Sequence, residues 1–145
     1  MGIDIAEGMI DAARLLARER HLDRRTEYRI GDLLALRETI PLSDITIADK
    51  VVCCYDDLPA FLSSSLSSTR RIYALSYPRP HLLNLVLIKL MAALSTLLGM
   101  SFRPYWHDWR SMRSSIEYEG FRRIWSASTI FWEVDIFGRD EVVEP

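Results

Sequence analysis

The sequence predicts an α/β fold with a mostly parallel sheet, and three observations carry that reading. Strand-like and helix-like segments alternate along the 145 residues. The run 44–55 is apolar and β-branched (Ile45, Thr46, Ile47, Val51, Val52), as suits a strand buried on both faces of a parallel sheet. The last two patterned segments, 121–127 and 130–137, are neighbouring strands joined through Ser128-Thr129, so they add an antiparallel pair.

Each element follows from local chemistry. Residues 2–5 form a short apolar stub that carries a carboxylate, Asp4. Residues 6–20 repeat apolar positions at helical spacing (Met9, Ala12, Ala13, Leu16), with Glu7 and Asp11 early and arginines late, as the helix dipole favours. A short strand over 27–30 is stopped by Gly31-Asp32. The strand over 44–55 is interrupted at Asp49-Lys50. Asp56-Asp57 can cap a helix over 58–68, and a strand over 71–77 ends at Pro78-Arg79-Pro80. The most apolar stretch, 81–100, reads as a long helix with Gly99 as a C-cap candidate. A helix over 109–118 ends at Gly120, and residues 139–145 read as a frayed acidic tail after a single domain over 1–138.

Composition sets the class. Hydrophobic residues make up 49% and charged residues 26%, which fits a folded globular chain. The formal net charge is −2, so no basic excess points to nucleic acid. The two cysteines, Cys53 and Cys54, are adjacent. They are poorly placed to bridge each other and lack Cys/His partners at ligand spacing, so no metal site is expected. They read as small apolar residues on a buried strand, in keeping with a reducing, cytoplasmic compartment. Asp4 and Glu7 stand where a secretory signal would be basic.

In doubly wound sheets, ligands bind beyond the carboxyl ends of the strands, where an Asp can accept hydrogen bonds from ribose hydroxyls. Asp4 sits at such an end, although the same position also suits a helix cap. The order of several signals says more. The segment from Gly2 to Arg14, then Gly31-Asp32-Leu33, then 43–52, then Ser76-Tyr77-Pro78-Arg79, then Glu119-Gly120-Phe121-Arg122 resembles class I S-adenosylmethionine-dependent methyltransferases, from their second strand to their terminal hairpin.

That resemblance implies a Rossmann-like sheet, the cofactor S-adenosylmethionine and a small-molecule methyl acceptor. It implies that Asp4 holds the ribose with Ile5 and Met9 flanking the adenine, that Asp32 faces the adenine amine with Leu33 beside it, and that Asp49 and Lys50 border the methionine end. The family's first strand and glycine-rich loop precede the part that this sequence resembles. The expectation is therefore a chain that lacks them, has weak activity alone and is open to completion by a partner strand.

A looser resemblance, to magnesium-protoporphyrin O-methyltransferases, rests on the apolar segment 81–100 followed by Tyr105-Trp106-His107. The apolar segment suggests a cover for an apolar acceptor, contact with a membrane surface, or ordinary packing. Tyr55, Tyr77 and Trp106 are candidate pocket residues. His107 is the candidate base if the acceptor is a hydroxyl or amine; a carboxylate acceptor needs none. Two other readings stay open: a nicotinamide-dependent oxidoreductase, which shares the ribose-binding Asp, and a non-enzymatic interaction module on a degenerate methyltransferase fold.

Overall fold

The computed structural model describes residues 1–99 and 104–139. The chain divides into two compact units, Met1–Ile40 and Pro41–Pro145. The sequence shows no linker composition at that junction. The division follows the pairing of the strands, which form two separate sheets.

In the first unit, β1 (Gly2–Asp4) pairs in parallel with β2 (Tyr28–Ile30), with Asp4 opposite Ile30. The helix between them, α1 (Glu7–Glu19), buries Ile10 and Ala17. Met9 and Leu16, read from sequence as part of the buried stripe, are exposed instead. The buried stripe is turned by one position, to Ile10, Ala13 and Ala17, and its alanines suit close packing on short strands. The short helix α2 (Leu33–Leu36) follows β2, with Asp32 as its cap.

The second unit holds a four-stranded sheet in the order β3-β4-β6-β5. Here β3 (Ser43–Ala48) runs parallel to β4 (Thr69–Pro78). The last strand, β6 (Trp132–Arg139), is antiparallel to both β4 and β5 (Phe121–Ser128). The parallel pairing and the terminal antiparallel pair are therefore present, but two of the four pairings among the described residues are antiparallel and the sheet is mixed, not mostly parallel; the last two strands are each offset from their sequence bounds. Arg139, assigned from sequence to the tail, is the last residue of β6, opposite Phe121. Residues 140–145 lie outside the described residues.

The run 44–55 is not one strand. It leaves the sheet at Ala48, passes through Lys50 in a left-handed conformation (φ 55°), and forms a 3-10 turn over Val52–Cys54. Val52 is fully buried there, so its apolar character serves packing of the turn and not strand pairing. Cys53 is buried and Cys54 exposed, which corrects their placement on a buried strand.

Three helices follow. In α3 (Leu58–Ser67), the Asp57 carboxylate accepts the Ala60 N–H at 2.9 Å and so caps the first turn. Its Leu58, Phe61, Leu62 and Leu66 are buried. The helix packs on β4 and on α5 (Trp109–Tyr118). Tyr73, Leu75 and Tyr77 of β4 are buried at alternate positions, as is Phe137 of β6; Trp109, Met112 and Ile116 are buried at helical spacing on α5. Gly120 takes φ 85°, which a side chain would strain, and turns the chain from α5 into β5. The apolar helix α4 (Leu82–Leu97) is shorter than 81–100. Its C-cap is Leu98, with Gly99 left-handed just beyond, and Met100 lies outside the described residues.

Phe121 and Phe137 are both fully buried. Replacing either with Ala removes a whole ring from a packed core, at an expected cost of about 3–5 kcal/mol. Urea unfolding of Phe137→Ala should show that loss, whereas Ile130→Ala, at an exposed turn, should change stability by less than about 0.5 kcal/mol.

Candidate functional site

The first unit brings two carboxylates to one end of a parallel strand pair. Asp4 closes β1, and Gly31-Asp32 directly follows β2. The Gly31 N–H donates to the Asp4 carbonyl at 2.9 Å, which ties the two ends together. Gly31 takes φ 153°, a backbone conformation that a side chain would strain, so the close turn favours glycine. One Asp4 oxygen accepts the Ala6 N–H at 2.8 Å, and one Asp32 oxygen accepts the Leu34 N–H at 2.9 Å. Each carboxylate is thereby oriented by backbone. A carboxylate accepts at both oxygens, so the bond to Ala6 does not exhaust the capacity of Asp4. Ile5 and Met9 are exposed beside Asp4 in sequence, and Leu33 is half-buried in the first turn of α2.

In the second unit the end of β4 organises the chemistry. Successive strand residues face opposite sides. Ser76 turns to β3: its hydroxyl donates to Asp49 Oδ1 at 2.5 Å and accepts the Lys50 N–H at 2.8 Å. That pair holds the turn after β3 and leaves the Lys50 ammonium 5.3 Å from the centre of the Trp132 ring.

Tyr77 turns to the other side and is fully buried. Its phenol donates to Asp135 Oδ2 at 2.6 Å and accepts from Arg113 Nη2 at 2.6 Å. Arg113 also reaches Glu133 at 2.6 Å and Asp135 Oδ2 at 3.1 Å. Asp135 is fully buried; its Oδ1 makes no hydrogen bond among the described residues, and the Arg123 guanidinium stands 3.6 Å away. Burial, and then the Asp135 carboxylate, push the Tyr77 phenol far above its ordinary range despite Arg113. Burial pulls Arg113 down, but its bond to Tyr77 and the charges of Glu133 and Asp135 outweigh that and leave it raised. Tyr77 thus serves as an internal strut and does not line the open cleft.

That cleft, of about 690 Å³, lies just beyond the carboxyl end of β4. It is lined by Arg79 and Pro80 after β4, by Trp106, His107 and Asp108 before α5, by Trp109, Arg110 and Arg113 of α5, and by Glu133. His107 Nε2 lies 2.8 Å from the Tyr55 carbonyl. A carbonyl can only accept, so Nε2 carries a proton, and in the neutral ring Nδ1 is the acceptor. Trp109 is buried, and its ring N–H has no protein partner among the described residues. Asp108 caps α5; its carboxyl is held below the usual range by the Ser111 hydroxyl and by the Arg110 and Ser111 amides. Tyr55 meets His107 through its carbonyl, and its ring centre lies 4.6 Å from that of Phe61.

Arg79, Arg110, Arg113 and Glu133 were not singled out from sequence. A signal existed for two pairs: Arg110 and Arg113 are three apart on one helix face, and Glu133-Val134-Asp135-Ile136 alternates acidic and apolar residues across a strand.

No protein-family model matches the chain, and no curated protein sequence matches it. Solved structures do match. Together with the parallel strands and the closing antiparallel pair, they show a Rossmann-like fold similar to that of solved methyltransferases, so the resemblance to class I methyltransferases read from sequence holds at the level of fold. Magnesium protoporphyrin IX methyltransferase from Synechocystis PCC 6803, solved with SAH, shares 23% identity at a TM-score of 0.73, over 95% of this chain and 63% of that one. Solved with SAM, it gives 21% identity and a TM-score of 0.69, over 95% of this chain and 58% of that one. An O-methyltransferase family protein from Burkholderia thailandensis shares 14% identity at a TM-score of 0.70, over 94% of this chain and 42% of that one. The chain thus spans less than two-thirds of the length of each of these structures.

The buried network makes two predictions. Arg113→Met removes the main partner of two carboxylates, one of them fully buried, and should destabilise the fold by about 3–5 kcal/mol. Breaking the exposed Arg70–Asp44 pair, 3.8 Å apart, should cost no more than about 1 kcal/mol. Burial holds the Tyr73 and Tyr77 phenols protonated well above their ordinary range. Unfolded tyrosines release their protons near pH 10, so above that pH the folded state binds more protons and stability falls as pH rises. Tyr77→Phe should flatten that alkaline slope in chemical-denaturation curves. An unchanged slope would show that this phenol does not resist ionisation.

Proposed function

We propose that this chain carries the adenosine-binding and acceptor-side parts of an S-adenosylmethionine-dependent methyltransferase that acts on a small molecule. The observation that carries the proposal is the pairing of Asp4 and Gly31-Asp32 at adjacent carboxyl ends of parallel strands, linked by the Gly31–Asp4 backbone hydrogen bond. Bound S-adenosylmethionine supplies an electrophilic methyl group on a sulfonium.

The residues present fit the adenosine half of that cofactor. Asp4 offers an oriented carboxylate for two ribose hydroxyls, Asp32 one for the adenine amine, and Ile5, Met9 and Leu33 apolar flanks for the base. The bound SAH and SAM of the Synechocystis structures support this choice over a nicotinamide dinucleotide. None of the six glycines forms a Gly-x-Gly pair, so the fit concerns the adenosine half alone. Asp49 and Lys50 are the proposed border of the methionine end.

For the acceptor we assign the cleft beyond β4. Arg79 and Arg110 favour an anionic group, Arg113 being paired with Glu133 and Asp135, and Trp106 and Trp109 offer flat apolar surface with one spare ring N–H. The acceptor that fits is a planar small molecule with a carboxylate or similar anion. Such an oxygen is already nucleophilic, so the chain's work is to orient it and exclude water. For a hydroxyl acceptor, His107 Nδ1 is the group able to take the proton.

Calorimetric titration of S-adenosylhomocysteine tests the reading, using this chain beside a version extended at its N-terminus by a strand and glycine-rich loop. The extended version should bind saturably. Asp4→Ala, which removes a charged hydrogen-bond acceptor, should weaken that binding at least about tenfold. Failure of the extended version to bind, or its preference for a nicotinamide dinucleotide, would overturn the proposal.

A further inference from the structure

The helix α4 is inverted with respect to solvent. Its buried positions are polar, Asn84 and Ser95, with Ile88 and Ala92 half-buried on the same stripe. Its outer positions are large and apolar, with Leu82 72%, Leu90 63% and Leu97 82% exposed. At about 100° per residue, the outer arc from Leu82 through Leu97 and Leu90 to Met91 spans about 180° without a polar side chain. Lys89 and Thr96 stand on one flank of that arc.

The helix start is fastened to a second apolar feature. Asn84 Nδ2 donates to the Arg79 and Phe131 carbonyls, each at 3.0 Å, and the Arg79 N–H donates to the Phe131 carbonyl at 2.8 Å. The β5–β6 turn therefore sits beside the first turn of α4, and its Ile130 and Phe131 are exposed as well. An exposed apolar surface of this extent on a folded chain marks an interaction site.

Charge identifies the occupant. No Asp or Glu occurs between Asp57 and Asp108, while Arg79 and Lys89 lie at the helix start and on its flank, and Lys50 stands against Trp132 beside the turn. A second copy of the chain would bring Lys89 flanks together with no acidic residue on α4 to neutralise them. An anionic lipid surface matches both the sign of the charge and the apolar face, and Lys89 can extend its ammonium to the headgroups. Among the described residues no helix is long and apolar enough to cross a membrane. At about 1.5 Å per residue α4 falls short of the ~30 Å hydrocarbon core, so a bilayer could hold it only in the interfacial plane.

We propose that α4 and the β5–β6 turn form a peripheral binding surface for anionic lipid bilayers. The inference does not depend on methyl transfer. Flotation of the full chain with phosphatidylcholine vesicles containing phosphatidylglycerol, beside vesicles of phosphatidylcholine alone, tests it. The expected result is binding to the anionic vesicles that weakens at high salt. Leu90→Glu and Leu97→Glu should each weaken binding at least about tenfold, by placing a charge in the inserted face. Both positions are exposed, so thermal unfolding should be unchanged, and Phe131→Ser should weaken binding in the same direction. Recovery of the wild-type chain in the lipid-free fraction with both vesicle types overturns the proposal. So does equal vesicle binding by Leu90→Glu, or self-association in sedimentation velocity that Leu90→Glu abolishes while vesicles bind nothing.

Discussion

The phenol of Tyr77 donates its proton to the buried carboxylate of Asp135, and the second sheet depends on that bond at its centre. Asp135 has no solvent exposure, so its charge is tolerable only if opposite charge and donors surround it. Arg113 and Arg123 supply the charge, and Tyr77 supplies a donor. The network couples β4, β5, β6 and α5, through Tyr77, Arg123, the Glu133 and Asp135 carboxylates, and Arg113. It also fixes where Arg113 can point, and hence one wall of the cleft.

The same strand end works on both of its faces. Ser76 holds the turn after β3 by bridging Asp49 and the Lys50 amide, while Tyr77, one residue on, anchors α5 from the opposite side. Pro78 ends the strand, and the chain that leaves it carries Arg79 to the cleft. A two-residue alternation thus sets the exit of one strand and the seat of one helix. This is the region where doubly wound sheets place their ligands, and the fold likeness to methyltransferases gives that placement its context.

The helix α4 inverts the usual pattern for a different reason. Asn84 is buried because its amide adds a second donor to two backbone carbonyls, of Arg79 and Phe131, and so pins α4 to the hairpin turn. Using a polar stripe as the inner seam leaves the leucines outside. Such a helix is a liability in water unless something apolar covers it, which is the physical basis for assigning it to a lipid surface.

Much of the architecture was legible in the residues. Periodicity located nearly every element, because burial on one face of a helix or strand writes itself into spacing, and α5 matched over its full length. The carboxylates of Asp4 and Asp32 were legible for the same reason: each follows a strand and precedes a helix. The course of 49–55 was not legible, since a buried 3-10 turn and a buried strand draw on the same apolar residues and differ only in where their backbone hydrogen bonds go. Nor was the rotation of α1 by one position, because Met9 and Ile10 are equally apolar. The arginines of the cleft lay hidden among many others, and only the approach of α5 to β4 and β6 singled out Arg110 and Arg113. By itself, then, the sequence determined the order of elements and the carboxylates at strand ends, which are local properties of pattern and capping. The tertiary structure decided which charges are buried together, which face of α4 is bare and where the chain divides, because those depend on contacts between segments far apart in the chain.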